Sequence, residues 1–425
     1  MAAATAVALR SVLGVMPKDC REFTADDQGD SLSTEAVAHP HIAPGAALGA
    51  YALCLVLGVM TASFGASLPF LQERFHLQGN GSRIVTWYNG GALAATMFLG
   101  ATGRRLAPRR AIAAMLLCFV CGAAGMALSS SWETFSAFAA VTGCGYGGLA
   151  LSLNTAFARG FGSESVVAVS RLNAVFGVGT ICGPLIAGGI GRWNIQALPL
   201  SAALLTLPCI SVLRCATALE MPTSRSHAVD GGAKKRLGLG FPLIATFLFL
   251  GFLYAGLETS IGAWVTTQLN WSGWSPSDAA LGASGFWAGM TVGRFVLPSL
   301  TRRCAPQNTL PCYLGAALVF LAMAAVPSLG FLPYALTGLV IGPVFPTVIA
   351  WLTRITTVPQ RANSVFMLAC TAGNTAVPAV VGVAVQPGQP ATIALTLASL
   401  CAACFGAALA IRRTSQAASL LSPHP

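Results

Sequence analysis

The sequence predicts an all-α integral membrane protein: twelve transmembrane helices arranged as two six-helix pseudo-repeats. Three observations carry this prediction. The composition is that of a chain dissolved in lipid, long apolar runs recur with alternating loop charge, and the two halves share residues at a fixed offset. Of the 425 residues, 55% are apolar and only 9% charged, with a mean hydropathy of +0.70. Soluble domains carry about 25% charged residues, so a soluble enzyme is excluded, and the apolar excess also excludes a disordered chain. A transmembrane barrel needs short alternating strands, whereas residues 241–252 form one unbroken apolar run.

The elements follow in order. Residues 1–43 are mixed and carry Pro17 and Pro40; they read as a disordered cytoplasmic tail, with a transit peptide as the alternative. A span needs roughly 20 apolar residues. Runs that meet this lie near 48–70, 85–103, 111–129, 135–157, 172–190 and 197–217, then 241–267, 279–300, 309–327, 331–352, 363–385 and 392–411. Arg104, Arg105, Arg109 and Arg110 follow the second span, Arg159 and Arg171 flank the loop after the fourth, and Arg302 and Arg303 follow the eighth. The odd-numbered loops hold few basic residues, so the positive-inside rule places both termini in the cytoplasm. The polar stretch 218–240 contains Pro222, Gly231 and Lys234–Arg236 and reads as a linker. The expected organisation is a tail (1–43), a six-helix half (44–217), a cytoplasmic linker (218–240), a second half (241–412) and a cytoplasmic C-terminal tail (413–425). Two N-x-S triplets, at Asn80 and Asn270, fall in loops assigned outside and are glycosylation candidates.

The net charge of +11 is spread over these loops, so it reads as topology and implies no nucleic-acid partner. The 13 cysteines lie mostly inside apolar runs and read as small buried thiols. Cys401 and Cys404 form a C-x-x-C without nearby histidine, so no metal is implied. Gly143-x-Gly145-x-Gly147-Gly148 lacks the preceding strand and following acid of a nucleotide fingerprint and reads as helix packing. There is no P-loop, G-x-S-x-G or H-E-x-x-H, and neither an enzyme nor a cofactor is expected.

Arg171-Leu-Asn173-Ala-Val175-Phe176 returns as Arg361-Ala-Asn363-Ser-Val365-Phe366, an offset of 190. Gly183 with Gly373, and Gly103-Arg104 with Gly293-Arg294, keep the same offset. Six helices repeated in parallel about an axis along the membrane normal are a transporter architecture, with the site between the halves at the midplane.

Twelve spans, a basic central linker and Arg-rich loops after spans 2 and 8 resemble the major facilitator superfamily. Several motifs are similar to its branch of fucose–proton symporters and fungal sugar-transporter-like proteins. They are Tyr254-x-Gly256-x-Glu258-x-x-x-Gly262-x-Trp264, Phe286-Trp287-x-Gly289-x-x-x-Gly293-Arg294, Gly342-Pro343-x-Phe345-Pro346-Thr347, and Asn173-x-x-Phe176-Gly177-x-Gly179 with Gly183-Pro184. The superfamily's loop after span 2 reads G-x-x-x-D-R-x-G-R-R; here Arg104 and Arg105 begin at the Asp position, so the gate is built otherwise. Gly179-x-x-x-Gly183-Pro184-x-x-x-Gly188-Gly189 nearly matches a motif of drug–proton antiporters.

Glu258 is the one carboxylate within a span. A charge at the bilayer centre costs about 2.5–3.5 kcal/mol on insertion scales, so such residues face cavities and do work. Burial favours the protonated form of a carboxylate, which suits a proton-coupled carrier; the alternative is a structural carboxylate near Gly256 and Gly262. The counterpart of Glu258 in the first half is Leu68, which leaves facilitated transport open. Tyr254, one helical turn away, either meets a substrate hydroxyl or satisfies Glu258. Trp264 belongs to an interfacial belt or, by the resemblance, to the site; Trp287 stacks on a solute or packs. Asn154 and Asn374 are substrate-binding candidates, the first by analogy with the family's cavity. Asn173, Gly183, Pro184 and Arg294 are expected to be gating or structural. The function expected is a secondary active or facilitative transporter, by alternating access, of a small organic solute that is sugar-like or another polar metabolite. The alternative is an efflux carrier for a secondary metabolite or drug-like compound, by proton antiport; a non-transporting receptor on the same fold is the competing class. The expected partners are the solute, the lipid bilayer and protons as coupling ion, with the chain a monomer in the plasma membrane.

Overall fold

The computed structural model describes residues 42–77, 81, 83–102, 106–161, 164–220, 241–301, 303–356 and 359–421. Among them the chain forms twelve antiparallel rods. In the first half these are α1 (Pro44–Phe75), α2 (Arg83–Thr102), α3 (Pro108–Leu128), α4 (Trp132–Gly160), α5 (Ser165–Asn194) and α6 (Ala197–Thr206, continued by the 3-10 segment Leu207–Cys215 and by Ala216–Glu220). In the second they are α7 (Phe241–Trp271), α8 (Pro276–Thr301), α9 (Pro306–Met323), α10 (Leu332–Ile341 and Val344–Ile355), α11 (Pro359–Ala384) and α12 (Pro390–Leu421). Nine of the rods are long and apolar enough to cross a membrane by length and composition. Each expected span coincides with one rod, and most rods run further at one or both ends; the spans ending at 129, 327 and 385 overshoot theirs, and the one starting at 331 begins a residue early. Leu128, Leu300 and Val383 are 82%, 73% and 90% exposed; such an apolar exterior matches hydrocarbon.

Local chemistry sets several ends. Pro44 starts α1, where its missing N–H costs nothing. His76 closes it in the left-handed region, its N–H bonding the Gln72 and Glu73 carbonyls. Before α8, Ser275 and Asp278 bond reciprocally: the Ser275 hydroxyl donates to Asp278 at 2.6 Å and accepts from the Asp278 N–H at 3.2 Å. α10 breaks at Gly342-Pro343, because proline cannot continue the backbone ladder.

Within each half the same pairs of rods pack: α1 on α5 and α2 on α4, then α7 on α11 and α8 on α10. Glycine makes this possible. A methyl at Gly183 would overlap the Val59 carbonyl of α1, and one at the repeat position, Gly373, would overlap the Phe252 carbonyl of α7. Close backbone approach through small residues is how helices associate where water supplies no driving force.

The halves meet along three seams. α1 touches α7 where Gly65 lies on the Gly262 carbonyl. α2 meets α11 where Gly90 faces Thr375. α5 meets α8 through two cross-half hydrogen bonds: the Ser277 hydroxyl donates to the Gly188 carbonyl at 2.7 Å and the Ser284 hydroxyl to the Ile181 carbonyl at 3.0 Å. All of these contacts lie towards the end of the bundle that carries the α1–α2 and α7–α8 loops.

Candidate functional site

Midway along the second half, α7 and α8 exchange the one salt bridge formed between described residues. Arg294 Nη2 lies 3.3 Å from Glu258 Oε1, with side-chain exposures of 44% and 21%. The same guanidinium nitrogen lies 3.2 Å from the Met290 sulfur, one turn earlier on α8. Sequence placed Arg294 at the end of its span. The structure turns its long side chain back along α8 to the carboxylate, because two antiparallel helices that pack side by side bring residues 36 apart into reach. Tyr254, one turn before Glu258, is fully buried and donates its only proton to the Ile341 carbonyl at 2.9 Å. That carbonyl lies at the Gly342-Pro343 break of α10, so Tyr254 caps a helix interruption while its ring stands beside Glu258.

The facing wall belongs to the first half. Phe64, Tyr88, Tyr146 and Phe176 make a continuous aromatic file, with successive centroids 4.6, 5.3 and 6.2 Å apart. The Tyr88 hydroxyl bonds Thr61 at 2.9 Å, and Tyr146 lies within electrostatic reach of Glu258 across the interface. Sequence reasoning passed over this file. The signal was there: hydroxyl-bearing rings inside apolar runs must find a polar partner, and the whole chain has only 6 tyrosines.

The remaining polar candidates tie helices to one another. Asn374 on α11 accepts from Thr259 of α7 at 2.8 Å. Asn154 accepts from Asn173 at 2.9 Å, joining α4 to α5. In the repeat, Asn363 donates to Thr353 at 3.1 Å, joining α10 to α11. The two asparagines related by the offset therefore do the same work. Trp264 is 4% exposed and sits in the core, not in an interfacial belt, because depth along a helix does not fix which face a ring occupies. The Trp264 and Trp287 indole N–H groups are both buried without a hydrogen-bond acceptor among the described residues. Gly183 packs on α1, and Pro184 sits inside α5. Asn270 Nδ2 donates to the Trp274 carbonyl at 3.1 Å, a bond that a glycan on that nitrogen would displace. Arg104, Arg105 and Asn80 lie outside the described residues, as do almost all of the N-terminal tail and of the linker.

Twelve rods in two repeated halves around a partly exposed ion pair define a membrane carrier of small organic solutes. The family model of the Major Facilitator Superfamily matches residues 47–378, and the chain belongs to that superfamily. Its members move solutes; the chain is a transporter and not an enzyme. Among characterised proteins, the glucose/mannose transporter GlcP of Bacillus subtilis (strain 168) is 24% identical over 321 residues, covering 71% of this chain and 78% of GlcP. The D-xylose-proton symporter superposes with a TM-score of 0.71 at 14% identity, over 86% of this chain and 96% of its own. FucP in the outward conformation superposes at 0.57 with 17% identity, over 88% and 98%.

Proposed function

We propose that this chain carries a small, polar, sugar-like solute between the two six-helix halves by alternating access, with the Glu258–Arg294 pair at the binding level. The observation that carries the reading is that ion pair itself. It sits in an apolar bundle, partly exposed, one residue from the Thr259–Asn374 hydrogen bond and facing an aromatic file that includes Tyr88 and Tyr146. Intramembrane charges are retained where they face a pathway. Hydrogen-bonding groups around aromatic faces suit a polyhydroxylated guest. The sugars carried by GlcP and by the D-xylose-proton symporter support the same class.

The seams support the mechanism. They close one end of the bundle, and Arg294, on their far side, is 44% exposed, as a group reached from the other end would be. The loop charges support an open end that faces the cytoplasm, with both termini on that side, and the plasma membrane is the proposed location. Protons are the proposed coupling ion, Glu258 their carrier. Of the α5 glycines that resemble an efflux motif, Gly179 and Gly183 pack against α1 and Gly188 against α8, contacts that favour neither direction. Counterflow in proteoliposomes with a panel of hexoses, pentoses, nucleosides and lipophilic metabolites tests the reading. Accumulation of a labelled sugar against its unlabelled counterpart is expected. Counterflow confined to lipophilic compounds would replace the reading with export, and its absence with every compound would sink the carrier site.

A further inference from the structure

The closed end of the bundle holds a second site, remote from the ion pair. A cleft of about 610 Å³ opens between the ends of α1 and α5 and the start of α8, lined among others by Glu73, Arg74, Arg192 and Asn194. One of its rim cations, Arg74, is anchored from behind by a buried amide. Gln196 is 8% exposed and is held by the Ser129 and Met126 carbonyls at 2.6 and 3.4 Å. Its own oxygen receives Arg74 Nη2 at 3.3 Å, which fixes that guanidinium at the rim. Arg192 and Glu73 are exposed and form no salt bridge with a described residue.

The cleft does not end there. Arg192 and Trp193 also line a second hollow, of about 320 Å³, that runs on between α5 and α8 along Leu185, Gly189 and Leu281. Leu185 lies seven residues before Arg192, so the groove descends about 10 Å into the hydrocarbon at 1.5 Å per residue. Gly189 leaves its floor open, since a methyl there would meet nothing within 4 Å. Trp193, 90% exposed, stands where the two hollows join. A tryptophan at that height is an interfacial anchor.

A polar cleft at the surface that continues into an apolar groove is the outline of a phospholipid. The charges select among headgroups. Two guanidinium groups suit a phosphate, and a carboxylate beside them opposes a bare anion but pairs with an ammonium. We propose that this composite site binds a phospholipid with a primary-ammonium headgroup. Its phosphate sits on Arg74 and Arg192, its ammonium on Glu73, and one acyl chain lies between α5 and α8. The seam lined by that chain is the one crossed by the Ser277–Gly188 hydrogen bond, so the lipid lies on the contact that must open when the carrier turns.

The test uses the full chain, purified in detergent and offered phosphatidylethanolamine, phosphatidylcholine and phosphatidylglycerol in equal amounts, with retained lipid measured by mass spectrometry. Retention of phosphatidylethanolamine above the other two is expected. Arg192→Gln should lower it about tenfold, the order of one lost charge-assisted hydrogen bond. Glu73→Gln should keep lipid but lose the preference over phosphatidylglycerol. Gly189→Phe, which puts a ring into the groove from a position where a Cβ meets nothing within 4 Å, should lower retention of whole lipid; Gly189→Leu serves if that variant does not fold. Thermal unfolding with glycerophosphoethanolamine or inorganic phosphate separates the sources, and neither should stabilise the protein as whole lipid does. Equal retention of all three lipids, unchanged retention in the Gly189 variants, or stabilisation by the soluble phosphates matching that by lipid would each overturn the proposal.

Discussion

Glu258 and Arg294 satisfy one another, and that decides what a substitution at either must do. Removing one partner of a buried pair leaves an uncompensated charge, though the 44% exposure of Arg294 tempers the penalty through solvent. If Glu258 carries the coupling proton, Glu258→Gln should abolish uptake driven by a pH gradient while leaving exchange of bound solute largely intact. Exchange needs only the conformational cycle, whereas driven movement needs a group that titrates between the two sides. If Glu258 instead accepts from solute hydroxyls, the same change should weaken affinity by roughly ten- to a hundredfold, the worth of about 1.5–3 kcal/mol for a charged acceptor. Uptake and binding measured on one preparation separate the outcomes, and wild-type behaviour in both would remove the residue from the site. Composition alone made Glu258 legible, as a lone carboxylate in an apolar run. Its partner was not legible, because no sequence rule joins residues 36 apart on antiparallel helices. The tryptophans show the same limit: the repeat of 3.6 residues gave a depth for Trp264 and no face.

At the scale of the helices, packing is written in glycine. Gly65 rests on the Gly262 carbonyl where α1 crosses α7, so this seam has no room for a larger residue. Gly65→Val should therefore oppose closure of that end. Overpacking costs about 1–3 kcal/mol, or roughly a fivefold to hundredfold shift towards the conformer open there. Ser284 is 6% exposed under the seam, so a cysteine at that position, in a background without other cysteines, should label correspondingly faster when Gly65 is valine. An unchanged rate would mean that α1 and α7 do not form the seal. Span order and number were readable because each run is long and bounded by charge. The ends were less so: α1 begins at Pro44 and runs to Phe75, beyond its apolar run, since a helix goes on past the hydrocarbon for as long as its backbone is capped. The break of α6 into 3-10 geometry over Leu207–Cys215 left no mark beyond Pro208.

For the molecule as a whole, orientation and rocking are separable measurements. Impermeant thiol reagents added outside cells should reach a cysteine at Gly81 or Ser272 and not one at Arg303; labelling at Arg303 would invert the topology. Rocking is tested by tying the halves together. A methyl at Gly188 would come 2.9 Å from the Ala280 Cβ, so a small separation of the two helices brings these positions to the Cβ spacing of a disulfide, about 3.5–4.5 Å. Gly188→Cys with Ala280→Cys should oxidise readily and stop transport until reduced, and full activity of the oxidised protein would show that the α5–α8 seam need not open. The ion pair behaves differently from these seams, because both of its members belong to the second half. When the halves swing, Glu258 and Arg294 travel together, and no attraction between them has to be broken for the empty carrier to return. The pair also sums to zero charge. Membrane voltage, worth about 2.3 kcal/mol per elementary charge per 100 mV, therefore has nothing to pull on in that return step. An uncharged cargo crosses without current, and any proton taken up at Glu258 registers as one charge per turnover, so an electrode can count the stoichiometry.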